Sequence, residues 1–134
     1  MYSCCKLSQD EALRIVLAVR EKLTAENKDA AVAVVDEHGE LMAFLRSDNC
    51  NFASINIAIN KAFTAARDQK RTATLAEECK LNGYNTTYFG DLRYTGFGGG
   101  IPIAYEGRIV GGIGVSGLSQ EEDEAIARFA LGQL

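Results

Sequence analysis

Tryptophan is absent from this 134-residue chain, and histidine and proline occur once each, as His38 and Pro102. A single imidazole leaves a zinc site dependent on Cys4 or Cys5 meeting Cys50, Cys79 and His38 from scattered positions, without the regular ligand spacing of structural zinc. No metal site is therefore expected. The four cysteines contain no CxxC, and the adjacent Cys4 and Cys5 are too cramped for an unstrained mutual disulfide, so they read as reduced thiols. Basic excess is also missing. Fourteen Lys and Arg against eighteen Asp and Glu leave a net charge of −4, which argues against a nucleic-acid surface. The longest apolar run, Ala30 to Val35, falls far short of the roughly 20 residues that span a bilayer. Met1 to Leu7 runs into a charged helix with no apolar core of its own, so no secretory signal is read and a cytoplasmic chain is expected.

What is present is ordinary globular material. Apolar residues make up 47% and charged residues 24%, which excludes wholesale disorder and fibrous repeats and suits one domain over residues 1–134. Ser8-Gln9-Asp10-Glu11 is a capping box, and Ala12, Leu13, Val16, Val19 and Leu23 continue it as an apolar stripe, predicting a helix from about Gln9 to Glu26. Ala30–Asp36 and Glu40–Arg46, joined across Glu37-His38-Gly39, form a hairpin pattern. Ser47 to Asn51 is loop.

Ala53 to Arg67 lacks Gly and Pro and carries Ile55, Ala58, Ile59, Ala62, Phe63 and Ala66 on one face, the pattern of a packed helix. Its small Ala58, Ala62 and Ala65 admit another backbone closely, and its Ala/Ile surface suits a subunit contact. Thr74-Leu75-Ala76-Glu77 is a second capping box, opening a short helix that Gly83 ends. Tyr84 to Thr95, rich in tyrosine, is a long loop or lid. Ile101–Tyr105 and Arg108–Val115 form a second hairpin, and a third capping box, Ser119 to Glu122, opens a last helix ending near Leu131. The order α-β-β-α-α-β-β-α predicts an antiparallel sheet with helices packed on it, an α+β domain.

Chemistry concentrates in a few places. Gly98, Gly99 and Gly100 lie in a run that needs positive φ or close approach, either as amides receiving an anionic ligand group or as a tight lead-in to a strand. No Lys-Ser/Thr or helix follows, so this is neither a Walker loop nor a dinucleotide fingerprint. Gly111, Gly112, Gly114 and Gly117 punctuate the last strand, where a second backbone pressing close is the favoured reason. Ser116 offers a hydroxyl without a histidine base nearby, so it is a ligand-binding candidate and not a triad nucleophile. Arg46 and Asp48 sit where a strand ends, and Lys61 lies among small apolar neighbours where it can hold a carboxylate. Glu122 and Asp123 suit a helix start, with proton transfer as their other reading.

Together these segments resemble the GlcG/HbpS-like family along nearly the whole chain. The resemblance is carried by Ala33-Val34-Val35-Asp36 with Gly39, Phe44 to Asp48, Ser54-Ile55 through Arg67, Gly98 to Ile103, Val110 to Gly117, and Glu122-Asp123. It implies a profilin-like three-layer α/β/α domain with a five-stranded antiparallel sheet, the extra strand lying around Tyr94 to Phe97. It also implies a homo-oligomer and a small ligand, haem or another tetrapyrrole in several members, with a non-catalytic accessory role in small-molecule catabolism. His38 is the one imidazole available as an axial ligand, with tyrosines or cysteines as substitutes. The chain departs from the family at Ser116-Gly117-Leu118, where Ser-Gly-Gly is usual, and at Arg46-Ser47-Asp48, where Arg-Met-Asp is common. No histidine occupies the first helix, so haem ligation does not transfer residue by residue. The rival reading is a lyase or isomerase in which Arg46 or Lys61 holds a small carboxylate, glycine amides stabilise an oxyanion, and Glu122 or Asp123 moves a proton.

Overall fold

Branched and small residues alternate along the first strand, and that alternation organises the molecule. In the computed structural model, which describes residues 1–134, β1 (Ala31–Asp36) points Val32 and Val34 to one face and Ala31, Ala33 and Val35 to the other. The first face packs under α1 (Gln9–Glu26) and α4 (Gln120–Leu131), with Ile15, Val19, Leu23, Ile113 and Ile126 closing the larger core. The second lies under α2 (Ala53–Asp68). Strands β2 (Leu41–Arg46), β3 (Gly100–Tyr105) and β4 (Arg108–Ser116) complete an antiparallel sheet in the order β2-β1-β4-β3. The domain is α+β, with helices on both sheet faces.

Four strands form, not five. Around Tyr94 to Phe97 no backbone donor enters the sheet: Tyr94 N turns back to Asp91 O at 3.3 Å, Thr95 N donates to Thr64 Oγ1 at 2.9 Å and Phe97 N to Thr95 Oγ1 at 3.3 Å. Ladder pairing begins only at Gly100, opposite Gly114. The segment before it is a strap rather than a free lid. A 3₁₀ turn, Thr86–Phe89, and edge-on contacts of Phe89 with Tyr94 and of Tyr94 with Phe63 fasten it to α2.

α2 lies close against β4 because both surfaces are small. A Cβ on Gly114 would collide with Ala58 O and stand 2.6 Å from Ala62 N, and one on Gly112 would meet Ala62 O and Ala66 N. The seam uses Ala58, Ala62 and Ala66, one helical turn apart; Ala65 is buried elsewhere. The alanine part of the Ala/Ile surface is thus covered by the chain's own sheet, while Ile55, Ile57 and Ile59 stay partly exposed.

Two of three capping boxes behave differently from their pattern. Ser8 and Glu11 form the full reciprocal pair. α3 (Thr72–Asn82) begins two residues before Thr74, and its first residue Thr72 instead accepts Gly100 N at 2.9 Å. At α4, Ser119 caps Glu122 N, but the Glu122 carboxylate turns to Lys28 at 2.9 Å.

Candidate functional site

The end of β4, the middle of α2 and the first turn of α4 converge on one buried ion pair. Lys61 projects from the α2 face that carries Ala58 and Ala62, and the missing side chain of Gly114 makes room for its stem. Its Nζ donates to Asp123 Oδ2 at 3.0 Å and to Val115 O at 2.8 Å. Asp123 Oδ1 accepts Leu118 N at 3.0 Å. Both side chains are only 2% exposed. Burial pulls the Lys61 ammonium below its ordinary range and pushes the Asp123 carboxyl above its own, each opposed by the charge of the other.

Glycine closes over this pair. Gly99 has φ +122°, and a Cβ there would stand 2.8 Å from Lys61 Nζ and 2.7 Å from Val115 O. Gly98 N donates to Gln120 Oε1 at 2.6 Å and Gly100 N to Thr72 Oγ1 at 2.9 Å. Of the two expectations for the glycine run, tight packing fits this geometry, because two of its amides are already engaged inside the protein.

Above the pair lies a polar depression of about 500 Å³. Lys61, Ser116 and Asp123 are among the residues lining it, with the starts of α2 and α4 as walls. The other sequence candidates lie outside it. Arg46 is exposed, its guanidinium over the Phe52 ring at 5.3 Å. Asp48 is exposed and borders a separate shallow depression with Arg20. Glu122 is held by Lys28, which together with Ser119 lowers its carboxyl below the usual range. The acid-holding and proton-moving set of Arg46, Lys61, Glu122 and Asp123 therefore does not assemble around one cavity. Asn51 and Ser54, which sequence reasoning passed over, do line this depression; Asn51 Oδ1 accepts Ser54 N at 3.0 Å, and an Asn three residues before a Ser at a helix start was the available signal.

A second depression, of about 560 Å³, is mainly apolar. Leu7, Ile103, Val110, Leu131 and Leu134 line it between the segment before α1, the β3–β4 hairpin and the end of α4. Cys5, Lys6 and Tyr105 border it, Cys5 and Tyr105 both exposed. His38 lines neither depression; it sits on the β1–β2 turn with its side chain 73% exposed.

Comparison with known proteins is consistent along the whole chain. The sequence model of the family described as haem degrading protein HbpS-like matches residues 7–132. The chain belongs to the HbpS-like family. Protein GlcG of Escherichia coli is 34% identical over 110 residues, 82% of this chain and 81% of GlcG. A double mutant of HbpS from Streptomyces reticuli superposes with a TM-score of 0.91 at 30% identity, covering 100% of this chain and 90% of that one. A solved complex of PduOC with haem gives a TM-score of 0.90 at 26% identity, with 97% and 96% covered. No helix of the chain is long and apolar enough to cross a membrane.

Proposed function

We propose that this HbpS-like chain is a non-catalytic accessory protein that binds haem in its apolar depression. The observation that carries the reading is the composition of that depression. Its volume of about 560 Å³ lies within the range of roughly 300–1,000 Å³ common for small-molecule sites. Leu7, Ile103, Val110 and Leu131 would wall in a macrocycle, and the Tyr105 hydroxyl and Cys5 thiol at the border are donor types that would hold the iron in place of histidine. Lys6 stands at the border for a propionate. It now pairs with Glu37 at 2.6 Å, but a pair this exposed is screened by solvent and exchanges readily. The family membership and the likeness to PduOC, solved with haem, support the same ligand. Haem, when bound, would supply an iron centre able to bind small ligands and exchange electrons; the apolar walls would exclude water from it, and Tyr105 or Cys5 would hold the iron.

The test is an absorbance titration of the tag-free protein with haemin beside an albumin control. A saturable Soret shift at one haem per chain, or at a fixed fraction per oligomer, is expected. It should move in Tyr105→Phe or Cys5→Ser and stay unchanged in His38→Ala. A linear, non-saturating response would remove haem from consideration, and a shift abolished only by His38→Ala would place the ligand on the open β1–β2 turn instead.

A further inference from the structure

We propose that the polar depression over the Lys61–Asp123 pair is a binding site for a small monocarboxylate, separate from the haem reading and independent of it. An ammonium carries three N–H groups. Lys61 directs one to Val115 O and one to Asp123 Oδ2, and the third finds no acceptor in the protein. Ser116 is 5% exposed, lines the depression, and its hydroxyl makes no hydrogen bond within the protein. The amides of Gln120 and Glu121, in the first turn of α4, are likewise without protein acceptors, since Ser119 takes only those of Glu122 and Asp123.

The amide and carboxylate oxygens around the same space are engaged, except those of the exposed Glu121. Asn51 Oδ1 takes both Ser54 N and Ser54 Oγ, Gln120 Oε1 takes Gly98 N, and the two Asp123 oxygens take Leu118 N and Lys61. The depression therefore offers donors and asks for acceptors. A carboxylate brings two oxygens with about four lone-pair sites and no hydrogen to place. An alcohol or amide would bring a donor whose one free carboxylate partner is the exposed Glu121. Charge limits the ligand further. The Lys61 charge is balanced by Asp123, and Glu121 stands at the wall, so a dianion meets a net negative neighbourhood that a monoanion tolerates better. Ile57, Phe97 and Leu118 give the rim an apolar part, suited to a short carbon chain.

Amide chemical shifts of the full-length protein, followed during titration with propionate at constant ionic strength, test the assignment. Propionamide and inorganic phosphate serve as comparison probes. Saturable shifts centred on Ser116, Gln120 and Glu121 are expected, with propionamide at least tenfold weaker. Ser116→Ala should weaken propionate about tenfold, the equivalent of one charge-assisted hydrogen bond. Ile57→Glu, at a half-buried rim position where folding is not at stake, should weaken it as well by placing a negative charge at the mouth. Non-saturating drift, or shifts untouched by both substitutions, would overturn the site. Propionamide or phosphate binding as tightly as propionate would overturn the monocarboxylate.

Discussion

Replacing Lys61 by Met keeps the aliphatic stem in its place beside Gly114 and removes the one cation facing Asp123. Asp123 would retain only the Leu118 amide, at 3.0 Å, and Val115 O would lose its 2.8 Å donor. Removing one partner of a buried pair costs ~3–5 kcal/mol, because the remaining charge stays desolvated. The exposed Arg71–Glu124 pair, bidentate at 2.7 and 2.8 Å, is worth only ~0–1 kcal/mol despite its better geometry. A chain of this size loses roughly 3–5 °C of Tm per kcal/mol, so a fall of about 10–20 °C is expected by calorimetry at pH 7. The loss should also depend on pH in a defined sense. In the variant the Asp123 carboxyl, already raised by burial, loses the opposing ammonium and rises further. A carboxyl raised above its unfolded value gives stability that is fully present below the unfolded pKa and is lost as pH rises through the folded one. The deficit against wild type should therefore shrink as pH falls from 7 towards about 4. Pairing the change with Asp123→Leu should recover most of the loss, since an apolar replacement leaves no charge buried. A deficit under about 1 kcal/mol, or one that is flat between pH 7 and 4.5, would refute the reasoning.

Gly114→Ala should cost ~3 kcal/mol or more in urea denaturation, at the top of the overpacking range, because the new methyl meets the α2 backbone and not a movable side chain. Ser8→Ala should lose ~1 kcal/mol of stability by the same measurement, whereas Thr74→Ala, whose hydroxyl caps nothing, should stay within ~0.5 kcal/mol. The Asp91 carboxyl, held down to about 2 by the Arg93 side chain and amide, should titrate there by carbon-detected NMR. Its contribution is present above the unfolded pKa and is lost as pH falls through about 2; an unshifted midpoint would remove the pairing.

Local rules made the elements legible. The Ser8–Glu11 box, the period of Ala12 to Leu23 and the two hairpins needed nothing beyond neighbouring residues. The β1–β4 pairing that makes one sheet of those hairpins sets Ala31 opposite Ser116, a contact that no local pattern encodes. Lys61 is legible in sequence as a cation among small apolar neighbours, able to hold a carboxylate, but not as the partner of Asp123, which lies 62 residues away. The glycine run was legible as unusual backbone but not as the cover of an ion pair, since that depends on where the Lys61 side chain ends. The extra strand around Tyr94 came from the resemblance. Here the α2 residue Thr64 captures the Thr95 amide, which is then not free for a ladder.

The two depressions share no residue, and β4 sets the distance between them. Val110 borders the apolar one and Ser116 the polar one, and six residues of extended strand separate these positions by roughly 20 Å. Haem and a small carboxylate should then bind without competing. Any coupling between them must pass along β4 or its neighbours β1 and β3, whose ladders with it are regular between these points except for one irregularity at Ile103/Ala104. A sheet held on one face by the α2 seam and on the other by α1 and α4 has little freedom to take two arrangements. Haemin titrations with and without saturating propionate should accordingly give midpoints within about twofold. A tenfold displacement corresponds to ~1.4 kcal/mol of coupling, and by reciprocity haem would shift the propionate affinity by the same factor. That result would mean the sheet between the depressions has a second packing, and that ligand binding at either end selects it.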